Sequence, residues 1–207
     1  MELQTILAFL GAAIVLTIMP GPDNVFTLTQ SIAKGRNAGI FTTLGLCTGL
    51  LVHIFAATFG LAAIIYQSSL AFAVIKYAGA AYLLFLAYKS FRAKDTSFEL
   101  KSGDTLNYKS LYKKGVIMNV LNPKISLFFL AFLPQFVNQE SGNVSIQMLV
   151  LGVVFLIQTL VLFILISIFA GKVGSFLRRN PSFSKKINYI QGSLFTLIGL
   201  KIAFTQK

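Results

Sequence analysis

Long apolar stretches alternate with short basic ones along the whole chain. A bilayer span needs ~20 mostly apolar residues, and six stretches meet that length: Leu3–Ala33, Ala38–Tyr66, Leu70–Lys89, Gly115–Phe136, Ile146–Gly171 and Ile187–Phe204. The pattern predicts an all-α polytopic membrane protein with six transmembrane helices. No stretch is long and polar enough to link two separate domains, so the 207 residues form a single transmembrane domain. The hydrophilic connector running from Ser90 to Lys114 divides it. The first repeat is expected over 1–91, the cytoplasmic connector over 92–114 and the second repeat over 115–207.

Two of the apolar stretches are interrupted. Pro20-Gly21-Pro22-Asp23-Asn24 breaks the first, and Asn122-Pro123-Lys124 breaks the fourth. Hydrocarbon offers no water to backbone groups freed by a break, so a break survives there only against protein or a wet cavity. Broken helices at matching places in two repeats point to a transporter's binding site. The third and sixth stretches add a short internal match: Ile75-Lys76-Tyr77, Leu86 and Lys89 recur as Ile187-Asn188-Tyr189, Ile198 and Lys201 at the same spacing. Three spans per half is an odd number, so the two three-helix repeats are expected to be inverted, with the first and fourth helices broken at proline.

Orientation follows from the 18 Lys and Arg residues. Connectors 1–2, 3–4 and 5–6 with their flanks hold 14 of them, against Lys76, Lys201 and Lys207 on the other side. Basic loops stay in the cytoplasm, which is expected to place those three connectors inside and both termini outside. The stretch Leu3–Ala33 would run ~46 Å as one helix, against a core of ~30 Å. It is either a broken, protruding span, the preferred reading, or a re-entrant hairpin that would turn the N-terminus inside. Asp23 lies 11 residues from Lys34 and Asn122 lies 8 from Lys114. At ~1.5 Å per residue both come ~12–16 Å from the cytoplasmic boundary, near the midplane.

Within the spans, chemistry-bearing residues are few. Asp23 is the only acid inside an apolar stretch, where a charge costs several kcal/mol or more and marks function by default. It is expected to hold a substrate ammonium or a coupling proton; the bland alternative is a carboxylate that caps the helix restarting after Pro22. Lys124 is the only lysine deep in a span. It either snorkels to the interface, pairs with Asp23 or meets a substrate carboxylate. Proline removes an N–H and frees a carbonyl one turn back, so backbone around Pro20, Gly21, Pro22 and Pro123 becomes available to a ligand. Asn24, Asn119 and Asn122 add uncharged donors and acceptors. His53 follows Gly45 and Gly49 at intervals of four, on one helix face. That spacing favours close helix packing with a hydrogen-bonded histidine over a proton relay. Gln135 and Gln158 are weaker candidates.

Composition narrows the classes. The chain is 56% hydrophobic with formal net charge +12. The basic residues sit between apolar stretches, as anionic lipid and membrane orientation require, so nucleic acid is not the expected partner. One cysteine, Cys47, excludes a disulfide framework and argues against a thiol–disulfide electron carrier, which needs a pair. One histidine and no acid-rich stretch give no metal site, and no cofactor is expected. No hydrolase elbow or phosphate-binding loop is present, so the chain does not read as an enzyme.

At the breaks the chain resembles the LysE/RhtB family of amino-acid exporters. The resemblance runs from Pro20-Gly21-Pro22-Asp23-Asn24 through Gly35-Arg36-Asn37-Ala38-Gly39 to His53. It continues through Lys76–Leu83, then Asn119-Val120-Leu121-Asn122-Pro123-Lys124 and Phe128–Phe136, and covers essentially the whole chain. It implies export of amino acids or close derivatives driven by an ion gradient, without a cofactor. The family pattern often has asparagine where this chain has Asp23. The expected function is secondary export of small neutral zwitterions such as threonine, homoserine or leucine, coupled to protons, by alternating access around a midplane site. Export of another small solute or of a metal ion is the alternative. A homo-oligomer is compatible with the sequence.

Overall fold

The computed structural model describes residues 1–19, 21–61, 69–92, 106–138, 140 and 142–204. Pro20, the end of the second apolar stretch at Tyr66, the acids Asp95, Glu99 and Asp104, and Lys207 lie outside the described residues. The rest is helical, with no strand among the described residues.

The helices are α1 (Leu3–Ile18), α2 (Pro22–Lys34), α3 (Arg36–Phe55), α4 (Ser69–Phe91), α5 (Tyr108–Val120), α6 (Pro123–Leu127), α7 (Val144–Ile168), α8 (Ala170–Arg179) and α9 (Pro181–Phe204). A π-helical turn, Ala56–Leu61, prolongs α3. A wider turn over Phe128–Phe132 and a tighter one over Leu133–Phe136 prolong α6. Both prolines open helices: Pro22 and Pro123 sit at the first helical position, where a missing N–H costs nothing and the fixed φ fits. The axes bend by 58° between α1 and α2 and by 43° between α5 and α6.

Helix ends depart from the apolar stretches where capping chemistry lies outside them. α5 starts at Tyr108, seven residues before Gly115 and inside the stretch read as connector, because Asn107 accepts a hydrogen bond from Ser110 N at 3.0 Å. Asn143 caps α7 through Ile146 N. Between α2 and α3 only Gly35 intervenes, at φ +87°, a backbone that side-chain-bearing residues rarely adopt. This turn folds α2 and α3 into a hairpin.

Two helical stretches, Arg36–Gly60 and Val144–Ile168, are each long and apolar enough to cross a bilayer. The bent pairs α1–α2 and α5–α6 pass the same test when each is taken as one span. The surface agrees with that environment. On α7, Ile146, Val153, Ile157, Val161 and Leu165 face outward, while Gln147, Gln158, Thr159 and Ser167 are buried. Apolar outside and polar inside is the arrangement that lipid favours.

Glycines set the closest helix crossings. A Cβ on Gly45 would strike Tyr112 O, one on Gly49 would lie 2.7 Å from Val116 O, and one on Gly115 would lie 2.6 Å from Thr42 O. The order of these contacts shows that α3 and α5 run parallel. α1 and α7 also run parallel: Ile6 and Gln147 line one surface cavity, Phe9 is against Phe155 and Thr17 meets Thr159. The two pairs oppose each other, since Gly39 of α3 abuts Ser167 of α7 and Gly152 of α7 abuts Ile54 of α3. α4 and α9 pack antiparallel, with Phe91 at Gly192 and Ala80 at Gly199. Rings of Phe9, Phe128, Phe129, Phe132, Phe136 and Phe155 fill the core between α1, α6 and α7.

Candidate functional site

The prolines determine which backbone groups are left over. In a helix the carbonyl of residue i accepts from the N–H of i+4. Leu16 would need position 20 and Ile18 position 22, and both are proline. The bend removes the partners of Thr17 and Met19 as well. Side chains take over all four carbonyls. Lys124 Nζ donates to Leu16 O at 2.8 Å and Met19 O at 3.3 Å. Asn24 Nδ2 donates to Thr17 O at 2.7 Å and Ile18 O at 3.2 Å. The cation therefore sits at the negative end of α1, where the helix dipole favours it.

The second break repeats this logic. Pro123 leaves Asn119 O without its i+4 donor, and His53 Nε2 lies 3.0 Å from that oxygen. A carbonyl only accepts, so Nε2 carries the proton and donates. The glycine stripe of α3 lets His53 reach the break: Gly45, Gly49 and His53 follow Tyr112, Val116 and Asn119 along α5. Asn122 Oδ1 accepts from Lys124 N at 3.0 Å and caps α6.

Asp23 is buried, 5% exposed, at the second position of α2. It does not cap that helix. Gly21 occupies the cap position and no side-chain capping bond forms there. The carboxylate instead reaches across to the second break, where Oδ2 accepts from Asn119 Nδ2 at 3.1 Å. Asp23 Oδ1 and Asn119 Oδ1 are buried without a hydrogen-bond partner. In native structures such groups are few and call for an explanation. No ion pair joins Asp23 to Lys124 among the described residues, because Lys124 turns to the carbonyls of α1.

The two breaks meet at one cavity. Asp23, Asn24, Asn119, Asn122, Lys124 and Gly21 line it, together with Thr17, Thr159 and an apolar wall of Leu16, Leu50, Ile125, Phe155 and Phe163. Its volume is about 20 Å³, room for about one water. Any larger solute requires the helices to part. His53 stands behind Asn119 rather than on the cavity wall. Pro22 and Pro123 shape the backbone, and Pro20 is outside the described residues. Gln135 bonds back to Ala131 O, away from the cavity. Among the described residues no three His, Cys, Asp or Glu groups converge as metal ligands would.

The cavity includes two residues that the sequence analysis did not single out, Thr17 and Thr159. Their signal was faint. Thr17 lies within the last turn before the first break, and Gln158-Thr159 is a polar pair in the most apolar helix.

Comparison with known proteins places the chain in a family. The family described as LysE type translocator matches residues 14–206. A homoserine/homoserine lactone efflux protein of Salmonella typhimurium is 32% identical, covering 95% of this chain and 94% of its own. An uncharacterized membrane protein of Bacillus subtilis is 32% identical over 96% of this chain and 98% of its own. One of Vibrio cholerae is 30% identical over 98% of each. No solved structure matches the chain. With two broken apolar helices meeting at a buried charged cavity and a family match over nearly its full length, the chain belongs to the LysE type translocators, and it is a membrane transporter rather than an enzyme.

Proposed function

We propose that this protein exports small zwitterionic amino acids or close derivatives from the cytoplasm across the bacterial inner membrane, in exchange for protons. The observation that carries this reading is the unpartnered Oδ1 of Asp23 in the same small cavity as the Lys124 ammonium. A zwitterion needs one group of each sign. Asp23 takes the substrate ammonium and Lys124 the carboxylate, with Asn119 and Asn122 orienting both. One carboxylate cannot hold a proton and pair with an ammonium at once. Protonation of Asp23 from outside therefore releases substrate there, and loss of that proton to the cytoplasm prepares the site again.

The chain is read as six spans: the broken pairs α1–α2 and α5–α6, then α3, α4, α7 and α9. Both α4 (23 residues) and α9 (24 residues) reach ~35 Å, enough to cross. Two inverted repeats are supported by the parallel pairs α3–α5 and α1–α7, which exchange under such a symmetry, and by the pairings α3–α7 and α4–α9, which map onto themselves. A bend of 58° favours a broken first span over a re-entrant hairpin, which would reverse direction. One repeat rocks against the other around the cavity, with the phenylalanine cluster closing the side toward the α1 N-terminus. The basic connectors lie in the cytoplasm and both termini outside.

Inside-out vesicles containing the protein test this with a panel of labelled amino acids, with and without a proton gradient. The expected result is saturable accumulation of small neutral amino acids that collapses with the gradient and is lost in Asp23→Asn. Accumulation of none of them would overturn the substrate class and turn attention to other solutes or metal ions.

A further inference from the structure

The cavity has a third wall that the charged pair does not use. Thr17 and Thr159 contribute their side chains to it, each 6% exposed. Behind them Gln158 Nε2 donates to Thr17 Oγ1 at 2.8 Å, to Thr159 Oγ1 at 2.7 Å and to Phe155 O at 3.1 Å. The Phe155 carbonyl can only accept, so the amide nitrogen, not its oxygen, faces this cluster. The amide has two protons for these three acceptors: one goes to Phe155 O and the other is shared between the two hydroxyls, each of which keeps its own proton. The contact between the two hydroxyls, 3.5 Å long, uses at most one of those protons. At least one O–H remains to donate into the cavity.

Resting on the exporter reading above, we infer that Thr17 and Thr159, positioned by Gln158, form a side-chain subsite that selects amino acids with an oxygen acceptor near the end of a short side chain. Hydroxyl and amide oxygens qualify. With the ammonium on Asp23 and the carboxylate on Lys124, the substrate side chain extends toward the remaining wall. That wall is apolar at Phe155 and Phe163 apart from these two hydroxyls. An aliphatic side chain of the same shape would leave a buried donor unpaired, and sites built around a hydroxyl reject such analogues strongly. Asp23 is the only carboxylate on the cavity wall among the described residues, so a second cationic group on the substrate finds no partner.

The test measures KM for isosteric pairs, homoserine against norvaline and threonine against valine, in the vesicles described above, with alanine transport as the reference. Wild-type protein is expected to favour the oxygen-bearing member by about tenfold or more. Thr159→Val, Thr17→Val or both should raise KM for that member and reduce the preference to near unity, while Thr159→Ser and Thr17→Ser, which keep the hydroxyl, should retain it. A merely structural threonine would change both members of a pair together. An unchanged ratio in both valine variants, or parallel losses for both members, overturns the subsite. If wild-type protein moves alanine yet shows no preference, only the subsite fails. If it moves no amino acid, the exporter reading fails with it.

Discussion

Asp23 and Lys124 occupy equivalent positions, each the residue immediately after the proline that reopens a broken helix, and they carry opposite charges. Their partners differ. Asp23 crosses to Asn119 on the second break, whereas Lys124 crosses to the Leu16 and Met19 carbonyls on the first. Each break is thus completed by a side chain from the other. An isolated charge in hydrocarbon costs several kcal/mol, and this exchange offsets part of that cost while leaving one carboxylate oxygen open.

Lys124→Met keeps the length of the side chain and removes its ammonium. Two carbonyls of α1 then lose their charged donor. Unfolding in detergent is expected to show a loss of about 2 kcal/mol, and export should fall by about a hundredfold or more because Asp23 is left without a nearby cation. A variant that transports normally would remove Lys124 from the site.

Exchanging the charges, Asp23→Lys with Lys124→Asp, should not restore transport. A carboxylate at 124 would face the carbonyl end of α1, where the dipole repels an anion. Vesicle uptake by the double variant checks this; recovery to near wild-type rates would mean that only the presence of two opposite charges matters.

Gly49→Ala and Gly115→Ala place a methyl against backbone of the facing helix, which cannot retreat as a flexible side chain would. Each should cost about 1–3 kcal/mol in thermal unfolding. Gly11→Ala meets nothing within 4 Å and serves as the comparison, with unchanged or slightly raised stability expected. Equal effects at all three positions would contradict the close α3–α5 crossing.

His53→Leu removes the side-chain donor to the Asn119 carbonyl, which then keeps only its tight-turn bond from Asn122 N at 2.9 Å. A stability loss of about 1–3 kcal/mol is expected, with weaker substrate binding as Asn119 drifts from Asp23. His53→Gln retains an N–H and should recover much of both. A proton-relay role predicts the opposite pattern, a folded leucine variant that binds substrate but no longer responds to the proton gradient. Substrate binding and gradient-driven uptake measured together separate the two.

A reporter enzyme active only outside the cytoplasm, fused after Lys207, should be active; the same reporter inserted after Asp95 should be silent. The reverse result would invert the orientation drawn from the basic connectors.

The sequence by itself determined that the chain lives in a membrane, where its helices break and which family it belongs to. These are local properties. Runs of apolar residues, the missing N–H of Pro22 and Pro123, and the short motifs around them need no knowledge of neighbours. It also marked Asp23, Asn24, Asn119, Asn122 and Lys124, because a polar side chain inside an apolar run is visible without coordinates, and all five line one cavity. Partners were not legible. Whether Lys124 snorkels, pairs with Asp23 or caps α1 depends on which helix end lies across from it, and that is decided by the glycine-set crossings and the bends. The same holds for His53, which reaches Asn119 only because Gly45 and Gly49 draw α3 onto α5. Thr17 and Thr159 are 142 residues apart and individually ordinary. Only the parallel packing of α1 on α7 brings their hydroxyls to one amide, because a hydrogen-bond network is a property of distances in space rather than of order along the chain.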